Sequence, residues 1–277
     1  MRIRKHICFR ADESPMLVDY LNKNQIPFER GGIVSNFDIY EDDPHWNFIS
    51  AYIKRNHLFC LSETEYTKSE LCNAEWLRMR SQWRFGYPQP ESNFNYEDIT
   101  YTRKDCCPKC NCGLKQINPF RIKKAPKWGQ RHFAELNWVG DELFLDNTAE
   151  TVLKQEGITG VSFLDVCNKK GDEIYPDIRQ LQVESVLDMG LQTDRARIRE
   201  IAHCPECGIP KYVTSGIGML SFRREIFENQ PDIVKSGEYF GSGHYAARVI
   251  LIRQKVYQTI LHNKLDRGLV FEPIELD

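Results

Sequence analysis

Apolar residues recur with two different periods along the N-terminal part of the chain. Ile3, Ile7 and Phe9 alternate with polar neighbours, which predicts a strand over Ile3 to Arg10. Ser14 followed by Pro15 pairs a capping residue with proline at the first helical position, so a helix should run to about Lys23. Pro27 to Tyr40 carries Gly31-Gly32 between apolar stretches and reads as a strand or hairpin. Asp43-Pro44 opens a second helix bearing Trp46, Phe48, Ile49, Tyr52 and Ile53, and His57 to Ser62 is again strand-like. Thr67-Lys-Ser-Glu70 is a capping box, and the helix it predicts places Cys72, Trp76, Met79 and Trp83 along one core-facing stripe. The run from Gly86 to Asn95, rich in Pro, Gly and Asn, then breaks the periodicity and marks a linker, with a domain boundary near residue 98.

Strand signals dominate afterwards. Phe133 to Leu145 alternates around Leu136, Trp138 and Leu143, and a short helix from Thr148 to Glu156 stops at Gly157. Ile158 to Cys167 and Ile178 to Leu187 read as paired strands, with Asn168-Lys-Lys-Gly-Asp172 between them as turn chemistry. Tyr212-Val213, Met219 to Phe222 and Ala247 to Ile252 are further strands. A helix over Gln254 to His262 and a strand over Leu269 to Ile274 complete the pattern. The expected class is α+β: a small β-α-β-type domain over residues 1–98, then a mainly β domain over residues 99–277.

Composition narrows the class without naming a task. The 277 residues are 41% hydrophobic and 12% aromatic, enough for a substantial core. Lys and Arg total 37 against 39 Asp and Glu, so no global charge points to nucleic acid or a membrane surface. No apolar run approaches the roughly 20 residues that a membrane helix needs. The basic start, Met1-Arg-Ile-Arg-Lys-His6, lacks an apolar stretch and a cleavage site, so a soluble, cytoplasmic protein is expected.

Ten cysteines would suggest disulfides in a small secreted chain. Here several cluster in pairs, which favours metal ligation in a reducing compartment. Cys107-Pro-Lys-Cys110 and Cys204-Pro-Glu-Cys207 are two matching knuckles, far apart in sequence. Two thiolates on a tight turn grip an ion from one side, and a second pair completes a tetrahedral shell suited to one Zn2+. Cys107, Cys110, Cys204 and Cys207 are therefore the expected ligands, with Cys106, Cys112 and His203 as neighbours able to substitute. Four protein ligands leave no open position, so the metal is expected to be structural. Cys8, Cys60, Cys72 and Cys167 stand alone in apolar surroundings and read as buried small hydrophobes.

Two other segments bear on function. Arg121 to His132 is a local basic stretch interleaved with Trp128, readable as a phosphate-contacting arm or as a solvated loop. Phe240-Gly-Ser-Gly-His-Tyr245 offers Ser242 and His244 to an enzymatic reading, but the fuller nucleophile and phosphate-loop signatures are absent, and a turn is the simpler reading.

The order of motifs carries a resemblance. The first knuckle is followed by Pro119-Phe-Arg121, Pro126-Lys-Trp-Gly129 and Leu136-Asn-Trp138, then by Cys204-Pro-Glu-Cys-Gly208, and finally by Glu238-Tyr-Phe-Gly-Ser-Gly243. Over residues 105 to 275 this resembles the bacterial double-CxxCG motif family, which includes immunity proteins of polymorphic toxin systems. One departure stands in the first knuckle, where Asn111 occupies the glycine position. The resemblance implies a non-enzymatic, zinc-ribbon protein that binds another protein, such as a cognate toxin. A nucleic-acid-binding regulator is the alternative expectation.

Overall fold

Period-two alternation produces the expected first strand, and the computed structural model, which describes residues 1–277, places it at the centre of a three-stranded sheet. Arg2–Phe9 pairs antiparallel with Ser35–Tyr40 on one side and Phe59–Glu65 on the other. Helices Pro15–Lys23 and Trp46–Asn56 bury Leu17, Leu21, Ile49 and Ile53 against Ile7, Phe9, Phe37 and Ile39. Pro15 begins its helix as expected, although Ser14 makes no side-chain capping bond. This first compact unit comprises residues 1–70 with residues 215–218.

The division therefore falls at Glu70/Leu71 rather than near residue 98. The capping box forms, with the Glu70 amide donating to Thr67 Oγ1 at 3.2 Å, but its helix ends at Asn73. Trp76–Ser81 is a strand. Trp76 and Met79 share the i, i+3 spacing of a helix face, whereas Leu77, Met79 and Ser81 share the period of a strand; short apolar runs are ambiguous in this way. Long-range pairing decides the outcome. The strand sits at the middle of a five-stranded sheet, between Ile250–Arg253 and Leu269–Leu276, with Ile233–Lys235 and Leu220–Phe222 at the edges. The presumed linker is likewise built in: Gln89 is buried, Phe94 packs against the core around Phe120 and Phe144, and the flanking Phe85 and Tyr96 belong to the same core.

The second unit, residues 71–214 and 219–277, also carries a second five-stranded sheet drawn from the stretch between the knuckles. Its order is Arg121–Ile122, Val161–Asn168, Ile174–Val183, Leu143–Leu145 and Phe133–Ala134. The two longest strands pair antiparallel across the expected turn, where Asn168 Oδ1 accepts from the amides of Lys170 and Gly171. Phe133 to Leu145 is not one strand but two short ones joined by a loop. Helix Asn147–Gln155 is capped by Asp146, and helix Gln254–His262 matches its expected bounds. The latter buries Val256, Tyr257 and Ile260 in a core shared with Leu77, Ile252, Leu145 and Leu181. Each such side chain contributes about 1.5–3 kcal/mol by leaving water.

One buried polar network crosses this unit. Lys235 Nζ lies 2.6 Å from Glu142 Oε1 and 3.4 Å from Asp141 Oδ2, and Gln180 donates to the other Glu142 oxygen at 3.0 Å. Burial alone would lower the Lys235 pKa, but the two carboxylates outweigh it and raise it, so the ammonium stays charged.

Candidate metal centre

Both knuckles are turns between short paired strands. The first lies between Tyr101–Thr102 and Lys115–Gln116, and the second between Ile198–His203 and Pro210–Thr214, where His203 pairs with Pro210. The turns repeat one hydrogen-bond pattern. The Asn111 amide donates to the Cys107 carbonyl at 2.9 Å, and the Gly208 amide donates to the Cys204 carbonyl at 2.9 Å. Both donors have left-handed backbone, with φ of 59° at Asn111 and 71° at Gly208.

That equivalence explains the departure at the glycine position. Asparagine is among the few side chains that tolerate the left-handed region. Here its amide is also used: Asn111 Nδ2 donates to Glu97 Oε2 at 2.8 Å, and Oδ1 accepts from Arg103 at 2.9 Å. Arg103 in turn pairs with Glu97 and Asp98, fastening the first knuckle to the short helix Tyr96–Thr100.

The fold brings together the sulfurs of Cys107, Cys110, Cys204 and Cys207, all within 4.8 Å of one another. Cys107 Sγ and Cys204 Sγ are 3.8 Å apart across 97 positions of sequence, and Cys110 Sγ and Cys207 Sγ are 3.7 Å apart. A tetrahedron with metal–sulfur bonds of about 2.3 Å has edges of about 3.8 Å. The separations are nearly twice the roughly 2.05 Å of a disulfide, and all ten cysteines are free thiols. The four-sulfur set thus has the size and the donor chemistry to hold a metal ion.

Backbone amides also point at the sulfurs. Those of Cys207 and Glu206 donate to Cys204 and lower its pKa. Burial opposes ionisation of Cys110, but the Cys112 amide and the adjoining thiols prevail and bring it to about 6. Cys207 receives the Ile209 amide, yet desolvation and the three neighbouring sulfurs push it up to about 12. Four sulfurs this close cannot all be thiolates without a compensating cation, and a dication provides that charge by displacing the protons that the sulfurs otherwise keep.

The neighbouring candidates fall outside the set. Cys106 turns its thiol to the Arg103 carbonyl at 3.4 Å, and His203 is exposed. Cys112 is buried beside the cluster, where desolvation and its hydrogen bond to Cys110 push its pKa up to about 12; it behaves as a protonated neighbour. The Phe240-Gly-Ser-Gly segment supports the site. Tyr239–Phe240 adds a parallel strand beside Lys211-Tyr212, and Lys211 Nζ donates to the Gly243 carbonyl. Ser242 and His244 lie exposed around a single 3-10 turn, with no hydrogen bond between them. Glu238 is buried, with Oε1 accepting from the Gly190 and Leu191 amides.

The Glu97–Arg103–Asn111 support and the Lys235 network went unread in the sequence. The Lys235 network joins residues remote in sequence, and the Glu97–Arg103–Asn111 support depends on how the first knuckle folds back on its preceding helix. No helix of the structure is long and apolar enough to cross a membrane. The sequence matches no family model, and no match among curated proteins is found.

Proposed function

We propose that Cys107, Cys110, Cys204 and Cys207 hold one structural Zn2+ and that the chain is a zinc-stabilised protein-binding module. The observation that carries this reading is the spacing of the four sulfurs, close to the edge of a zinc–thiolate tetrahedron. Four protein donors close the shell, so the ion supplies cross-linking and folding energy. It ties two hairpins whose sequences are remote, and thereby stiffens the surface around them. A rigid platform with exposed aromatic anchors suits tight association, because little freedom is lost on binding. Trp138, Tyr87 and Tyr245 are exposed aromatics of this kind in the same unit.

The motif order quoted above extends this reading to an immunity protein that neutralises a cognate bacterial toxin in the cytoplasm, with a zinc ribbon as its core. Co-expression with a toxin encoded beside the gene tests it. Protection of the host and a stable one-to-one complex are expected; absence of both, with folded zinc-loaded protein, overturns it.

One observation favours a second reading, a nucleic-acid-binding regulator. Lys123, Lys124 and Lys127 are exposed and form no ion pair, so they are available to phosphates. That reading requires binding to single- or double-stranded probes that weakens steeply as salt rises.

A further inference from the structure

A cleft of 330 Å³ lies beside the first knuckle, with Cys110 and Asn111 in its lining. Its size falls within the range of small-molecule sites. Most polar groups facing it already satisfy one another. Lys235 is held by Glu142 and Asp141, and Gln180 and Gln116 exchange amide hydrogen bonds at 2.7 and 2.8 Å. Glu97 is taken by Arg103 and Asn111.

Arg248 and Tyr101 are among the lining donors left out of this arrangement. Arg248 is half-buried and has no carboxylate partner, and its guanidinium sits 4.4 Å from the centroid of the Tyr239 ring. A guanidinium without a carboxylate partner is free to take an acidic ligand through charge-assisted hydrogen bonds. Tyr101 has no side-chain hydrogen bond, and burial pushes its pKa well above the ordinary value, so its hydroxyl remains a neutral donor.

The mouth of the cleft is aromatic. Trp138 is 38% exposed and Tyr245 is 63% exposed. Phe94 packs between them, its ring 4.5 Å from Trp138 and 6.0 Å from Tyr245. Trp138, Asn93 and Phe94 all have left-handed backbone, with φ of 69°, 52° and 57°. Bulky side chains rarely adopt that conformation, and such strain gathers where a surface has a task. Here it presents flat rings at the opening.

We propose that this cleft binds an aromatic carboxylate, with the carboxylate on the Arg248 guanidinium and the ring against Trp138 and Tyr245. Arginine favours a planar carboxylate because its fork can donate two parallel hydrogen bonds. Tyr101 provides a further donor on the same lining. Asp141 and Glu142 share a single ammonium, so the Lys235 side of the cleft keeps acidic character. That favours a singly charged carboxylate over a phosphate dianion. The inference is independent of the partner proposed above.

Calorimetric titration of the metal-loaded 277-residue chain tests it, with N-acetyl-phenylalanine as probe and N-acetyl-phenylalaninamide as its uncharged counterpart. The acid should bind at least about tenfold more tightly than the amide, the equivalent of about 1.4 kcal/mol for a charge-assisted contact. Arg248→Ala should weaken the acid by a similar factor and leave the amide unchanged. Because Arg248 packs on Tyr239, Tyr245→Ala on its exposed turn serves as a second variant that spares the core; it should weaken both probes several-fold. A tetrapeptide ending in phenylalanine separates the sources of such a group: tighter binding than the acetylated amino acid assigns it to a chain terminus, weaker binding to a free metabolite. Equal affinity for acid and amide, unchanged binding in folded Arg248→Ala, tighter binding of adenosine monophosphate, or no binding of the acid at millimolar concentration would each overturn the proposal.

Discussion

Lys235→Met should be among the most destabilising single changes in the second unit. The Lys235 and Glu142 side chains are 10% and 9% exposed and meet at 2.6 Å. Removing the ammonium leaves Glu142 buried, with Gln180 as its remaining donor. Stranding one partner of a buried pair costs about 3–5 kcal/mol, a large share of the roughly 5–15 kcal/mol that stabilises a typical domain. With a urea slope of about 2–3 kcal/mol/M, the unfolding midpoint should fall by about 1–2.5 M. Tryptophan fluorescence is a suitable probe, because Trp76, Trp83, Trp128 and Trp138 all belong to this unit. The double variant Lys235→Met/Glu142→Leu removes both charges together. It should recover most of the loss, because an apolar pair of similar volume is often as stable as a buried ion pair. A midpoint shift below about 0.3 M for the single variant, or a double variant no more stable than the single, would refute the reasoning.

Two further predictions concern the metal centre and acid sensitivity. Cys112→Ser should retain one metal per chain and Cys110→Ser should lose it, as measured by metal content after gel filtration, because only Cys110 belongs to the four-sulfur set. Burial pushes the Glu272 carboxyl up, but Arg78, Arg197 and Arg80 outweigh it and hold its pKa below the ordinary value. A depressed folded-state pKa contributes stability that is present above the unfolded value and lost as pH falls through the folded one. Thermal unfolding should therefore show a steep loss below about pH 4.5 in the unmodified chain and a flatter profile in Glu272→Gln.

The parts of the fold legible in the sequence were those fixed by local chemistry. Pro15 and the Thr67–Glu70 capping box begin their helices, Asn168 makes its turn, and the two knuckles make equivalent loops, because each signal is contained in a few consecutive residues. Trp76–Ser81 is ambiguous in sequence because strands contributed from residues 250–253 and 269–276, remote in sequence, decide its class. The domain boundary failed for the same reason: Pro and Gly between residues 86 and 90 mark a bend, and a bend is equally at home inside a folded unit. The four cysteines were readable as a group because matching spacing implies matching geometry. The cleft was not, since Arg248, Tyr101 and Trp138 have no common pattern and meet only in the folded chain.

Zinc K-edge X-ray absorption on the purified 277-residue chain, combined with metal quantitation, tests the central claim most directly. The account predicts one zinc per chain, surrounded by four sulfurs at about 2.3 Å. A chain that folds without stoichiometric zinc, or a shell containing nitrogen or oxygen in place of a cysteine sulfur, would contradict it.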